Sequence, residues 1–197
     1  MGDHKKAAKK AAAKLHAKDR KLGKHAAKAR RHPVTRLIGD ASEAADQPPL
    51  IALAILTIGA GLVLRQPLVA RSGVRMLAAH GLATGIKSVL KRSVDRTRPR
   101  AAGKRGYKAE QGSSADPDLS SFPSGHTAGA VAVAKAAAHE TPAVAPAAGA
   151  AVSAVAAAQL PTGKHYLSDV VVGAAIGWIS AAVADAVIDR LLGKPQA

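Results

Sequence analysis

Two histidines and a small set of cations carry the chemistry that can be read directly from the chain. Pro123-Ser124-Gly125-His126-Thr127 stands where a polar, charged loop gives way to an alanine- and valine-rich stretch. A serine there caps the helix that follows, a glycine lets a ligand approach the backbone, and the first-turn amides point outward as unpaired donors. Such a helix terminus holds anions, and His126 would stand beside the anion as proton donor or acceptor. Upstream, Lys91 and Arg98 are separated by six residues and supply fixed positive charge, Arg98 through a planar fork that matches two phosphate oxygens. Downstream, His165 and Asp169 lie one helical turn apart, so the carboxylate would accept from one imidazole nitrogen and leave the other free to attack phosphorus. Each feature has a plainer reading taken singly: a helix cap, a basic loop against headgroups, a salt-bridged surface pair.

The elements that must position these residues are helices with apolar surroundings. Residues 48–64 are uncharged and apolar and end at Arg65-Gln66-Pro67, about the minimum length that crosses a bilayer. Residues 68–90 form a second, less hydrophobic segment. At 100° per residue, His80, Lys87 and Lys91 share one face of it, leading toward the candidate site, and Arg71 and Arg75 fall roughly opposite. Residues 91–122 read as a polar connection whose later part, rich in Gly, Ser, Asp and Pro, is loop. Helices are expected over 124–139, 143–159 and 166–192, with breaks at Thr141-Pro142 and Pro161-Thr162-Gly163. Ala145, Gly149, Ser153 and Ala157, and again Gly173, Gly177 and Ala181, recur every fourth residue, a spacing that lets helix backbones meet closely in a membrane. Lys135 and Asp185, charges in otherwise apolar helices, are expected to be paired within the bundle or placed near an interface rather than to act in catalysis. The fold class read from this pattern is an all-α, membrane-embedded bundle of about five helices.

Charge is distributed unevenly along the 197 residues. The net charge is +16, and 13 of the 29 basic residues fall in the first 36 positions, where Asp3 and Asp19 are the acids. The expected organisation is a basic Lys/Ala-rich tail over 1–47, a helical membrane domain over 48–192 and a short C-terminal tail over 193–197. No apolar stripe in the first 32 residues is wide enough to build a core, so a solvated or transiently helical tail is expected there. Its partner would be anionic lipid headgroups, at roughly 1 kcal/mol per basic residue near the surface, with nucleic acid the less favoured partner. The charged stretch is too long for the n-region of a secretion signal. The chain has no cysteine, hence no disulfide scaffold and no thiolate metal site. Two crossings would return the chain to the side of the basic tail, and the Lys91–Lys108 loop is also strongly basic. By the positive-inside rule the N-terminus and the site would then both be cytoplasmic.

The order Lys-x6-Arg-Pro, Pro-Ser-Gly-His and His-x3-Asp resembles the three-part signature of the type-2 phosphatidic acid phosphatase family, over roughly residues 50–190. That resemblance implies a phosphatase of the bacterial inner membrane that acts on a lipid phosphate such as phosphatidate or a polyprenyl diphosphate and uses no metal or other cofactor. It assigns His165 as the nucleophile that forms a phosphohistidine, Asp169 as its orienting partner, and His126 as acid and then base. Lys91, Arg98, Ser124 and Gly125 become phosphate ligands, joined by Gln159 through one neutral hydrogen bond. The third segment departs from the family pattern, because its usual Ser-Arg is Ala158-Gln159 here. An amide at Gln159 cannot replace that charge, so slower turnover is expected unless Lys164, Arg92 or Arg96 substitutes. The alternative is a non-catalytic membrane protein with a degenerate site.

Overall fold

The computed structural model describes residues 2–193, so positions 194–197 of the expected C-terminal tail lie outside the described residues. Its eight helices, in order, are α1 (Gly2–Ala26), α2 (Pro33–Ser42), α3 (Gln47–Val63), α4 (Pro67–Lys91), α5 (Pro99–Arg105), α6 (Gly125–Glu140), α7 (Ala145–Ala158) and α8 (Leu167–Leu192). Proline opens α2, α3, α4 and α5, where its missing N–H costs nothing and its fixed φ suits the first turn. α6 lies at the centre, packed on α4, α7 and α8, and α3 packs on α4.

The core is built largely of alanine: Ala54, Ala79, Ala83, Ala128, Ala132, Ala136, Ala181 and Ala184 are buried together with Leu50, Met76 and Ile176. Small side chains bring the helix axes close. A Cβ placed on Gly173 would fall 2.5 Å from the Ser124 carbonyl, and one on Gly177 would fall 2.4 Å from the Ala128 carbonyl, so α6 and α8 touch main chain to main chain. The companion stripe on α7 behaves otherwise. Nothing lies within 4 Å of where a Gly149 side chain would begin, so an alanine-rich composition explains that periodicity better than close packing does.

Apolar side chains also cover the outside. Ile55, Leu56, Val63, Val171, Trp178, Ile179 and Leu191 are exposed on α3 and α8. Among the described residues, α8 alone is long and apolar enough to cross a membrane, and residues 33–45 and 47–63, bent by 50° at their junction, pass the same test as a pair. α4 is one residue shorter than α8, but Arg71 and Arg75 near its start and Lys87 and Lys91 near its end leave only its middle uncharged.

Two regions differ from expectation. The connection 91–122 holds a short antiparallel hairpin, β1 (Val94–Arg96) with β2 (Ala109–Gln111), in the register Val94–Gln111, and α5 lies between the two strands. The basic N-terminal segment is helical and docks on the bundle through Asp19 and Gly23, while its described lysines stay exposed. Asp19 is buried, and α1 packs against α5 and the start of α8. Its anchor is polar rather than apolar, which is why the missing apolar stripe pointed the other way.

Candidate active site

Backbone hydrogen bonds join the three signature segments. Ser124 N donates to Asp169 O at 3.0 Å, Ser121 N to Arg96 O at 3.1 Å, Arg98 N to Asp118 O at 2.8 Å, and Arg100 N to Gly163 O at 3.1 Å. Gly163 sits at φ +69, a region favourable to glycine, with Arg100 packed where a side chain would project. The turn that presents His165 is closed by its own amide, which donates to Gln159 O at 3.2 Å.

His165 is almost completely buried, and its Nδ1 lies 2.6 Å from the Ser121 carbonyl. A carbonyl can only accept, so Nδ1 carries the proton and Nε2 keeps its lone pair. This differs from the expected pairing, because the Asp169 carboxylate stands 3.8 Å from Nδ1, beyond a direct hydrogen bond. Asp169 is instead held by Ser121 Oγ (2.6 Å), by the Tyr166 amide (2.8 Å) and by Arg96. Ser121, fully buried, therefore contacts both members of the pair and was missed from the sequence. Its signal was its place just before the Phe-Pro-Ser-Gly-His run. Burial, reinforced by the positive charges of Arg98 and Lys91 and opposed by Asp169, lowers the imidazole pKa of His165 to about 4.

The cations gather near this imidazole. Lys91 Nζ donates to the Ser120 carbonyl at 2.9 Å and to Ser120 Oγ at 3.0 Å, and Arg98 Nη2 reaches the same carbonyl at 3.3 Å. Among the described residues neither pairs with a carboxylate, and Arg98 Nε is buried without a partner. Burial, with Arg100 nearby, pulls the Arg98 guanidinium below its ordinary pKa. Lys87 adds a third cation. Its Nζ would lie 3.2 Å from a Cβ on Gly125, so its amine rests over the start of α6, as the helical-face reading of Lys87 and Lys91 anticipated. Ser124 is fully buried and caps α6 through the Thr127 amide at 3.4 Å. Gly125 opens the helix after it.

His126, in the first turn of α6, faces Glu43 from the short helical turn after α2, with Nε2 and Oε2 3.4 Å apart. Lys164 holds the other oxygen of the same carboxylate, and its bond keeps the Glu43 pKa below the usual range. Glu43 thus links His126 to the residue preceding His165. Glu43, Asp46 and His126 also offer ligand atoms within 4.8 Å of one another, a spacing that a cation would accept.

Gln159 is fully buried. Its amide turns back on its own helix, donating to the Val155 carbonyl at 2.9 Å, and its Oε1 has no partner among the described residues. Of the three cations considered as substitutes for the missing arginine, Arg96 is committed to Asp169 and Asp19, and Lys164 to Glu43, whereas Arg92 is exposed.

The family model described as PAP2 superfamily matches residues 72–191. The fold is similar to that of a transmembrane PAP2-type phosphatidylglycerolphosphate phosphatase from Bacillus subtilis. The TM-score is 0.67 at 21% identity, over 90% of this chain and 87% of that one. It is also similar to that of LpxE from Aquifex aeolicus, with a TM-score of 0.63 at 22% identity over 83% of this chain and 92% of that one. No curated protein matches the chain.

Proposed function

The chain belongs to the PAP2 superfamily, and from that membership we propose that it is an integral-membrane lipid phosphatase working through a phosphohistidine. The observation that carries this reading is the His165 imidazole. It is buried, its protonated nitrogen is fixed on the Ser121 carbonyl, and it lies near two cations, Lys91 and Arg98, that meet no carboxylate. An unneutralised cationic pocket beside a neutral nucleophile suits a doubly charged phosphoryl group.

In the proposed reaction, Lys91 and Arg98, with the Gly125 and His126 amides at the start of α6, hold the phosphoryl oxygens. Ser124 supports those amides by capping the helix. His165 Nε2 attacks phosphorus, the P–O bond to the lipid breaks, and the leaving oxygen takes a proton from His126. Water then gives a proton to His126 and attacks phosphorus. The P–N bond breaks, and inorganic phosphate leaves with His165 restored. Asp169, too far for a direct bond, contributes negative charge as the imidazole becomes cationic. None of these roles calls for a metal.

An apolar cleft of about 550 Å³ supports a lipid substrate. It lies between α3, α4, α6 and α7, walled by Leu50, Leu53, Met76, Val133 and Val152, and reaches Ala44 and Ala45 beside Glu43. Hydrocarbon laid there would leave its headgroup at the His126 end. The substrate class is a lipid phosphate monoester or diphosphate, with phosphatidate, a phosphatidylglycerol phosphate and a polyprenyl diphosphate as the compounds to screen. Phosphate release by detergent-solubilised protein, lost in His165→Ala, is the test. Retained turnover in that variant would remove the nucleophile. A second reading, a non-catalytic lipid-binding protein, draws on the neutral, inward-turned Gln159, and the same assay separates the two.

The bacterial inner membrane and a cytoplasmic N-terminus are part of the proposal. The basic α1 docks at the signature end of the bundle, and the positive-inside rule puts that end in the cytoplasm. Gly103 on α5 is exposed with open space around it, and Gln66 lies at the opposite end between α3 and α4. Gly103→Cys should react with an impermeant thiol reagent only after permeabilisation, and Gln66→Cys in intact cells. The reverse pattern overturns the orientation.

A further inference from the structure

Asp19 lies 149 residues from Ser168 in sequence, yet the two are in contact. Its carboxylate accepts from Arg96 Nη2 at 2.8 Å, from the Ser168 amide at 3.3 Å and from Ser168 Oγ. The other guanidinium nitrogen, Arg96 Nη1, donates to Asp169 and, at 2.7 Å, to Ser168 Oγ. The Arg96 guanidinium also stacks 4.4 Å from the Tyr166 ring centroid. Gly23, one turn along α1, lies so close to that ring that an added Cβ would fall 2.6 Å from it. The first helix therefore grips the residues flanking His165, by an ion pair on one side and an aromatic ring on the other.

The charges make this more than a tether. Arg96 and Asp169 alone sum to zero, and a cancelled carboxylate gives little support to an imidazole becoming cationic. With Asp19 the trio carries a net charge of −1, all of it buried. Charges this close in a poorly screened interior interact strongly. Asp169 has no direct bond to His165, so its field and orientation are what it contributes.

We propose that Asp19 is a positioning residue of the phosphoryl-transfer site: by sharing Arg96 it keeps the Asp169 carboxylate uncancelled and aimed at His165, which makes the N-terminal helix part of the catalytic apparatus. The proposal rests on His165 being the nucleophile. Full-length protein in detergent tests it with three variants. Asp19→Asn lowers kcat about 10-fold with KM within about twofold, because the effect falls on the charge developed in the transition state. Asp19→Glu recovers most of that loss. Gly23→Leu lifts α1 from Tyr166 while keeping the carboxylate, and it lowers kcat similarly. The double variant Asp19→Asn/Gly23→Leu is no worse than either single one, since both remove one interaction. An unchanged kcat in Asp19→Asn, a loss confined to KM, no rescue by glutamate, or additive losses would each overturn the proposal. Orthovanadate binding reads the same site without turnover. If the parent protein hydrolyses no substrate, the phosphatase reading fails, while weaker vanadate binding by Asp19→Asn still supports the positioning role and equal binding refutes it.

Discussion

At the end of the bundle where α4 begins and α6 and α8 finish, Arg71, Arg75 and Lys135 meet Glu140, Asp185 and Asp189. Arg71 lies 2.7 Å from Glu140 and 3.0 Å from Asp189, and Lys135 lies 2.9 Å from Asp185. Arg75, with no exposed surface, contacts all three acids, and His139 bridges two of them. At the opposite end Lys91 and Arg98 meet at the Ser120 carbonyl and Lys87 rests over the start of α6, and among the described residues none of the three is paired with a carboxylate. The first cluster is three cations against three carboxylates, closed and neutral. The second is open and carries excess positive charge. Half-buried charge left unmatched is costly, and the phosphoryl group of the proposed reaction would supply the missing partner.

The largest expected effects separate the two clusters. His165→Ala should reduce turnover by roughly 10⁴-fold or more, as loss of a nucleophile does, with thermal stability little changed. Arg75→Ala should do the reverse. Removing one partner of a buried network costs about 3–5 kcal/mol, read as a lowered Tm, while kcat per folded molecule stays within a few-fold. A variant at the neutral cluster that abolished turnover without loss of stability would break the contrast.

Acid pH sharpens it at a smaller scale. The His165 pKa is lowered to about 4, against an ordinary value of about 6.5. The nucleophile should therefore stay neutral through pH 5, and the part of the acid limb of kcat/KM that belongs to it should fall near pH 4. The same shift bears on stability. Between about 6.5 and 4 the unfolded chain binds the proton and the folded one does not, so this residue's contribution is full above that window and declines as pH falls through it. A His165-dependent acid limb near pH 6.5 would contradict the buried, cation-flanked setting. The smallest effect is expected at Gln159, where Gln159→Arg would restore a charged ligand and raise kcat/KM up to about tenfold, equivalent to about 1.4 kcal/mol. No gain would mean that the missing charge is not limiting.

Much of the bundle was legible because its signals are local. Proline-marked starts and apolar runs placed α3, α4, α6, α7 and α8 within a few residues, and the segments picked out by the spacing from Lys91 to Asp169 are ones that backbone hydrogen bonds join. Lys135 and Asp185 were expected to pair or to lie near an interface, and of the two they pair. The hairpin of β1 and β2 was hidden because each strand is three residues long. Asp19, Glu43 and Ser121 were not singled out for the site, and Arg96 was considered only as a stand-in for the missing arginine, because their contacts join distant positions, which no periodicity encodes. Asp19 in particular stood in a lysine-rich stretch where a lone acid looks like solvated surface. The direct His165–Asp169 bond was inferred from helical spacing, and it failed because His165 precedes the helix rather than lying within it.

The contact of Gly173 and Gly177 with the carbonyls of Ser124 and Ala128 has one more consequence. The helix that begins at Gly125 and the one that carries Asp169 meet through bare peptide units, with no bendable side chain between them. Their separation is therefore set by atomic radii, a hard stop that neither rotamer changes nor lateral pressure from surrounding lipid can readily compress. For the proposed reaction, which must grip a group only a few ångströms wide in a fluid two-dimensional solvent, the calipers are locked at that point.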